Sequence, residues 1–235
     1  MERPTWYSIK NLADESADVF VYDEIGAFGI TAGAFIKDLQ GITAGKLNLH
    51  INSPGGDVFD GLAIYSALKE HAAEVTVYVD ALAASIATVI AMAGDRVIMA
   101  RHSSMMIHDA FGMAVGTSED MTKMAERLDV VSDQIASVYQ ERVAGSKTST
   151  WRNRMKAETW YTDEQAVAAG LADEVGKPSG IRNTFDLSKF KHPPVVEPEP
   201  ESEEQEEADA EPPVEFDKAE AFRQAASLTL MEVLT

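Results

Sequence analysis

The sequence predicts an α/β protein built on a mostly parallel sheet. Strand-like segments with period-two apolar residues alternate with helix-like segments along the body of the chain. The gaps between strands are long enough for the crossover helices that parallel strands require. The 235 residues, 45% of them hydrophobic, suffice for one sizeable core followed by a tail.

The elements follow in order. "ADVFVYDEIG" alternates and reads as a strand, and "TAGAFIKDLQGI" as a helix. "KLNLHINS" places Leu47, Leu49 and Ile51 on one face of a second strand and leads through "PGG" into the helix "FDGLAIYSALKEH". "EVTVYVDA" is a third strand, and the apolar stretch "VDALAASIATVIAMAG" supplies the next helix. "DRVIMA" and "SSMMIHDAF" are short strands, and helices are expected on both faces of the sheet. A long helix runs from Ser118 to Val143, opened by "GTSED" and closed at Gly145. Its stripe of Met121, Met124, Leu128, Val131, Ile135 and Val138 suits packing on its own domain or on another copy. "STWRNRMKAE" and "DEQAVAAGLADEV" are two further helices. Residues 1–16 form an N-terminal segment ahead of a domain at 17–180. Residues 181–214 read as a disordered, proline- and glutamate-rich linker, and 215–235 as a modestly amphipathic helix.

Charge narrows the function classes. From His192 onward there are thirteen acidic and two basic residues, −11 of the net −19. So acidic a chain is not expected to bind nucleic acid through its bulk field, nor anionic membranes. The longest apolar run, about 14 residues, is too short to span a bilayer. The polar opening residues lack the apolar core of a secretory signal, so a cytoplasmic location is expected. There is no cysteine, which excludes thiolate chemistry and disulfides.

Four short motifs carry candidate chemistry. "NSPGGDVFDGL" turns from strand to helix through Gly55 and Gly56, which leaves backbone N–H groups exposed. It lacks the Gly-Lys-Ser/Thr of a phosphate loop. "LAASIAT" sets Ser85 at a helix start among alanines, where small neighbours admit a substrate and the N–H of Ile86 is free for an oxyanion. A lone serine there is more often a packing residue, and the pattern is not Gly-x-Ser-x-Gly. "MMIHDAF" places His108 after an apolar strand as the best candidate base, although an isolated histidine is commonly structural. Glu158, Asp173 and Asp109 are the carboxylates open to orienting it. No two of the five histidines have metal-ligand spacing, so neither metal nor cofactor is expected.

Taken together, "INSPGG", "ALAASIATVIAMAG", "MMIHDAFG" and "WYTDEQAVAAGLADEV" resemble, in order and separation, the proteolytic subunit of the Clp protease family over about Ala17 to Gly176. "SPGGDVFDGLAIY" and "AETWYT" are closest in flavour to the Clp-like proteases of phage and prophage head-gene clusters. The resemblance implies a ClpP/crotonase-like fold of stacked βαβ units, with Ser118–Val143 as a handle helix joining two rings of seven. It implies Ser85 as nucleophile, His108 as general base, the N–H groups of Gly56 and Ile86 as oxyanion hole, and Phe111 and Gly112 as a strand pairing with an extended substrate. The third position aligns with Glu158, where the housekeeping family has aspartate.

The implied function is a serine endopeptidase that matures phage heads by cutting scaffold or capsid precursors, in the host cytoplasm or inside the prohead. An ATP-driven unfoldase partner is left open. A non-catalytic assembly protein on the same oligomer is a second reading. A crotonase-type acyl-CoA enzyme is a third.

Overall fold

A computed structural model describes residues 9–11, 16–182 and 184–193. The remainder of the expected acidic linker and the whole of the expected C-terminal helix lie outside the described residues. An eight-stranded sheet runs in the order β1 (Ile9–Asn11), β2 (Ser16–Val21), β3 (Lys46–Ser53), β4 (Glu74–Ala84), β5 (Arg96–Met99), β8 (Glu174–Val175). Strand β6 (Ser104–Ile107) branches from β4, and β7 (Thr159–Thr162) pairs antiparallel with β6. From β2 to β8 along the main order every pairing is parallel. The α/β class with a mostly parallel sheet is therefore the observed one.

Leu47, Leu49 and Ile51 share one face of the sheet with Val75, Val77 and Val79. Onto that face pack Phe35 and Leu39 of α1 (Ala32–Leu39) and Ile64 and Leu68 of α2 (Val58–Glu70). The opposite face differs from expectation, because no helix residue belongs to its cluster among the described residues. It carries a half-buried stack, Phe20 on His50 at 4.8 Å and His50 on Tyr78 at 4.9 Å between ring centroids. Farther along, Leu82, Ala84 and Met106 are covered by Phe190, with Phe185 and Leu187 beside them. The packed chain therefore continues past Gly180, where composition alone had placed a change of character. Two polar contacts tie it down: Ser179 Oγ donates to the Asp80 carbonyl (2.6 Å), and Asn52 Nδ2 to that of Arg182 (3.4 Å).

The stretch Val79–Gly94 is not one helix. Strand β4 continues to Ala84, and α3 occupies only Ile86–Ala91, with Ser85 as the joint. The reason is that β4 has two partners. Its first half pairs with β5 through Thr76–Val79, and its end pairs with β6 through Leu82–Ala84. Ladder hydrogen bonds thus hold alanines that local propensity assigns to a helix.

The long helix α4 spans Ser118–Arg142, opened by a capping box between Thr117 and Asp120 and ended at Val143 rather than Gly145. Ile135, Val138 and Tyr139 are buried, whereas Met121 and Val130 stay exposed. Its first half is mostly exposed, with Met124 and Leu128 lining the cleft described below. Helix α5 (Thr148–Lys156) packs along α4. Helix α6 (Asp163–Ala168) is shorter than its motif, because Gly170 at φ +78° turns the chain into β8. The expected helix "STWRNRMKAE" ends at Lys156, and the residues after Glu158, to which the sequence reading gave no element, form β7.

Candidate active site

Parallel strands deliver their carboxyl ends to one edge, where ligands of open α/β sheets bind. Here the ends of β3, β4 and β6 bring Gly55–Gly56, Ser85 and His108 to one cleft of about 640 Å³. Ser85 holds a backbone conformation rare for a residue with a side chain, φ 56° and ψ −129°. Although it stands where a helix cap would, its hydroxyl caps nothing. Instead Ser85 Oγ lies 2.7 Å from His108 Nε2.

The joint is braced from behind. Thr88 Oγ1 donates to the Ser85 carbonyl (2.6 Å), and the Tyr139 hydroxyl meets Thr88 Oγ1 at 2.6 Å. Thr88 and Tyr139 escaped the sequence reading. Thr88 is legible as a polar group three residues past the serine, but nothing in the sequence marks Tyr139.

Ile25 frames the two glycines: its N–H donates to the Gly55 carbonyl and its carbonyl accepts from Asp57 N–H, both at 2.8 Å. The Gly56 N–H is left with no acceptor among the described residues. The same holds for Ile86 N–H, the first amide of α3, which has no intrahelical partner. Both residues line the cleft with Ser85. A side chain at either glycine would collide: a Cβ on Gly55 would stand 2.7 Å from Ser85 Cβ.

Of the three carboxylates open to His108, two are engaged elsewhere. Asp109 pairs with Arg152 at 2.5 Å, and Asp173 accepts the Val97 N–H at 2.7 Å and pairs with Arg142. Arg152 also reaches Asp129 and Asp133 of α4, each at 2.8 Å. With Ser132 Oγ accepting the Ala110 N–H at 3.0 Å, this moors the segment after His108 to α4. Sequence reasoning missed Arg152, which three carboxylates from two regions surround.

Glu158 is buried and lies within electrostatic reach of His108. No hydrogen bond joins the two. The Glu158 oxygens accept the backbone N–H groups of Lys191 (2.9 Å) and His192 (2.6 Å). Burial alone pushes the Glu158 pKa up, but these two amides and the nearby imidazole bring it below the ordinary value. For His108, burial outweighs the attraction of Glu158, and Lys191 and Lys189 add to it, so its pKa is lowered.

Phe111 and Gly112, expected in a strand, lie in an irregular segment beyond β6, which ends at Ile107. Phe111 is exposed and tilted over His108 at 5.5 Å. Among the described residues no strand pairs with it to impose the ladder. Among the described residues no cluster of His, Asp or Glu is arranged to hold a metal ion, and no helix is long and apolar enough to cross a membrane.

A serine and an imidazole in hydrogen-bond contact beside two free amides define the class: an α/β protein with the core of a serine hydrolase site. Comparison with known sequences narrows it. The family model described as Clp protease matches residues 2–179. The ATP-dependent Clp protease proteolytic subunit of Bacteroides fragilis is 29% identical over 148 residues, 62% of this chain and 71% of that one. The subunit of the same name from Leuconostoc citreum is 31% identical over 143 residues (59% and 71%), and that of Chlorella vulgaris 32% over 131 (55% and 65%). The chain belongs to the Clp protease family, a family of serine peptidases.

Proposed function

We propose that the protein is an endopeptidase whose nucleophile is Ser85, with His108 as general base, Glu158 as the third member of the triad, and the Gly56 and Ile86 amides as oxyanion hole. The 2.7 Å contact between Ser85 Oγ and His108 Nε2 carries this reading. Ser85 Oγ attacks the scissile carbonyl as its proton passes to His108 Nε2, and the two amides hold the tetrahedral oxyanion. The protonated imidazole then gives its proton to the leaving amine. The resulting acyl-enzyme is released when water, deprotonated by His108, attacks the ester.

The base must be neutral to act. Because the pKa of His108 is lowered from the ordinary 6.5, the acid limb of kcat/KM is expected to have its midpoint below pH 6.5, with activity lost as pH falls through it. A pH profile of peptide hydrolysis checks this. A midpoint above 6.5 would overturn the direction of the shift, and the absence of an acid limb would contradict the role given to His108.

The biological role we assign is maturation of phage heads, in the host cytoplasm or within the prohead, by a ring of identical subunits. Met121 and Val130 of α4 and the exposed Met113 and Val115 offer apolar surface for neighbouring copies. The substrates would be scaffold or capsid precursors, whose extended segments the Phe111–Gly112 segment would pair. Co-expression with the capsid and scaffold proteins of its own gene cluster is expected to give shortened products that vanish in a Ser85→Ala variant. Full-length precursors in both cases would refute the role while leaving the peptidase reading standing.

A further inference from the structure

The family match ends at residue 179, but the cleft extends beyond it. Lys189 and Phe190 both wall it. Phe190 is 7% exposed, with its ring edge-on to His108 (centroids 5.9 Å) and to Trp160 (5.6 Å). The next two residues supply the amides that bind the two Glu158 oxygens. One tetrapeptide therefore contacts two of the three side chains assigned to the triad.

We propose that Lys189–His192 is a positioning clasp, a part of the active site supplied from beyond the family-matched stretch, which fixes Glu158 through two backbone amides and limits the swing of His108 through the Phe190 ring. The proposal rests on the reading of Glu158 as the third member of the triad.

The chemistry explains why a clasp is useful here. Glutamate has one more torsion than aspartate, so an unheld carboxylate would sample several positions. Glu158 also stands at φ 50°, a strained setting for a non-glycine residue, which its surroundings must impose. One amide on each oxygen removes that freedom while leaving lone pairs for the imidazole N–H on the far side of His108 from Ser85. Both bonds are charge-assisted, which makes them stronger than neutral ones. The clasp is itself anchored, since Phe190 is buried among Leu82, Ala84 and Met106.

An inhibitory strap using the same contacts would have the opposite effect on rate, so one experiment separates them. In the full-length protein, His192→Pro deletes the amide donor at 2.6 Å. Phe190→Ala deletes the anchor, and Phe190→Leu largely restores it. The readout is the second-order rate of Ser85 labelling by a fluorophosphonate, measured beside thermal unfolding. His192→Pro and Phe190→Ala are each expected to slow labelling on the order of ten- to hundredfold, with Phe190→Leu closer to the parent. Glu158→Gln is expected to be slow as well, and adding His192→Pro to it should cost nothing further, because the amide acts through that carboxylate. Labelling at or above the parent rate in His192→Pro or Phe190→Ala overturns the clasp, as does full additivity with Glu158→Gln. If His192→Pro fails to fold, the Phe190 pair decides alone. Parent-rate labelling by Glu158→Gln would overturn the triad reading and the clasp together, whereas a slow Glu158→Gln beside a fast His192→Pro removes only the clasp.

Discussion

Replacing Ser85 with alanine is expected to abolish fluorophosphonate labelling and to lower kcat for peptide hydrolysis by roughly 10⁴- to 10⁶-fold, with the fold intact. The size follows from the mechanism: removing the nucleophile of a triad leaves only the residual acceleration of the oxyanion hole and of binding. Intactness follows from the surroundings. The Ser85 hydroxyl caps no helix, and among the described residues its hydrogen bond is to His108. The bonds that hold the joint use its backbone, through the carbonyl to Thr88 and the N–H to the Met106 carbonyl (2.8 Å). Active-site titration with a fluorophosphonate, together with thermal unfolding, checks both halves. Retained labelling would show that another residue is the nucleophile.

Gly56→Ala is expected to have the largest effect on stability. The residue sits at φ 146°, and an added Cβ would stand 2.0 Å from the Ile25 carbonyl oxygen, itself bonded to Asp57 N–H at 2.8 Å. Neither partner is a flexible side-chain end, so backbone must move. The cost should reach about 3 kcal/mol or more, which for a domain of this size lowers Tm by roughly 6–12 °C. Gly33, inside α1 with nothing within 4 Å of its virtual Cβ, is the contrast. Gly33→Ala should be neutral or stabilising by about 0.5–1 kcal/mol. Calorimetry of the two variants tests the comparison, and equal Tm values would mean the turn at Gly56 yields more readily than its contacts indicate.

The parallel sheet was readable because its core strands alternate: Leu47, Leu49 and Ile51 mark one buried face without reference to anything distant. Ser85 and His108 were readable as a pair only through the order of four motifs, since each alone reads as packing. The helix start at Ser85 was readable too, but the continuation of β4 through Leu82–Ala84 up to it was not. Alanine-rich sequence favours a helix, and only a strand partner distant in the chain reverses that preference; here the partner is β6, whose Ser104–Met106 pair with Leu82–Ala84. The fate of Asp109 was equally hidden, because Arg152 lies 43 residues on and is brought beside it only by the packing of α5 on α4. The segment around Phe190 was masked by its neighbours. Prolines and glutamates downstream set the composition, while a single aromatic ring set the packing.

The coverage of Leu82, Ala84 and Met106 by Phe190 has a consequence for where this molecule can be cut. A chain ended at residue 179, the limit of family likeness, would present these three side chains, and the indole of Trp160, directly to water. They form a contiguous oily floor next to the short outer strand β7, which among the described residues pairs only with β6. Bare apolar surface beside an unpaired strand edge is a template for self-association. The shortest piece of this chain that keeps that floor covered is therefore set by Phe190, and it is longer than the stretch matched by the family.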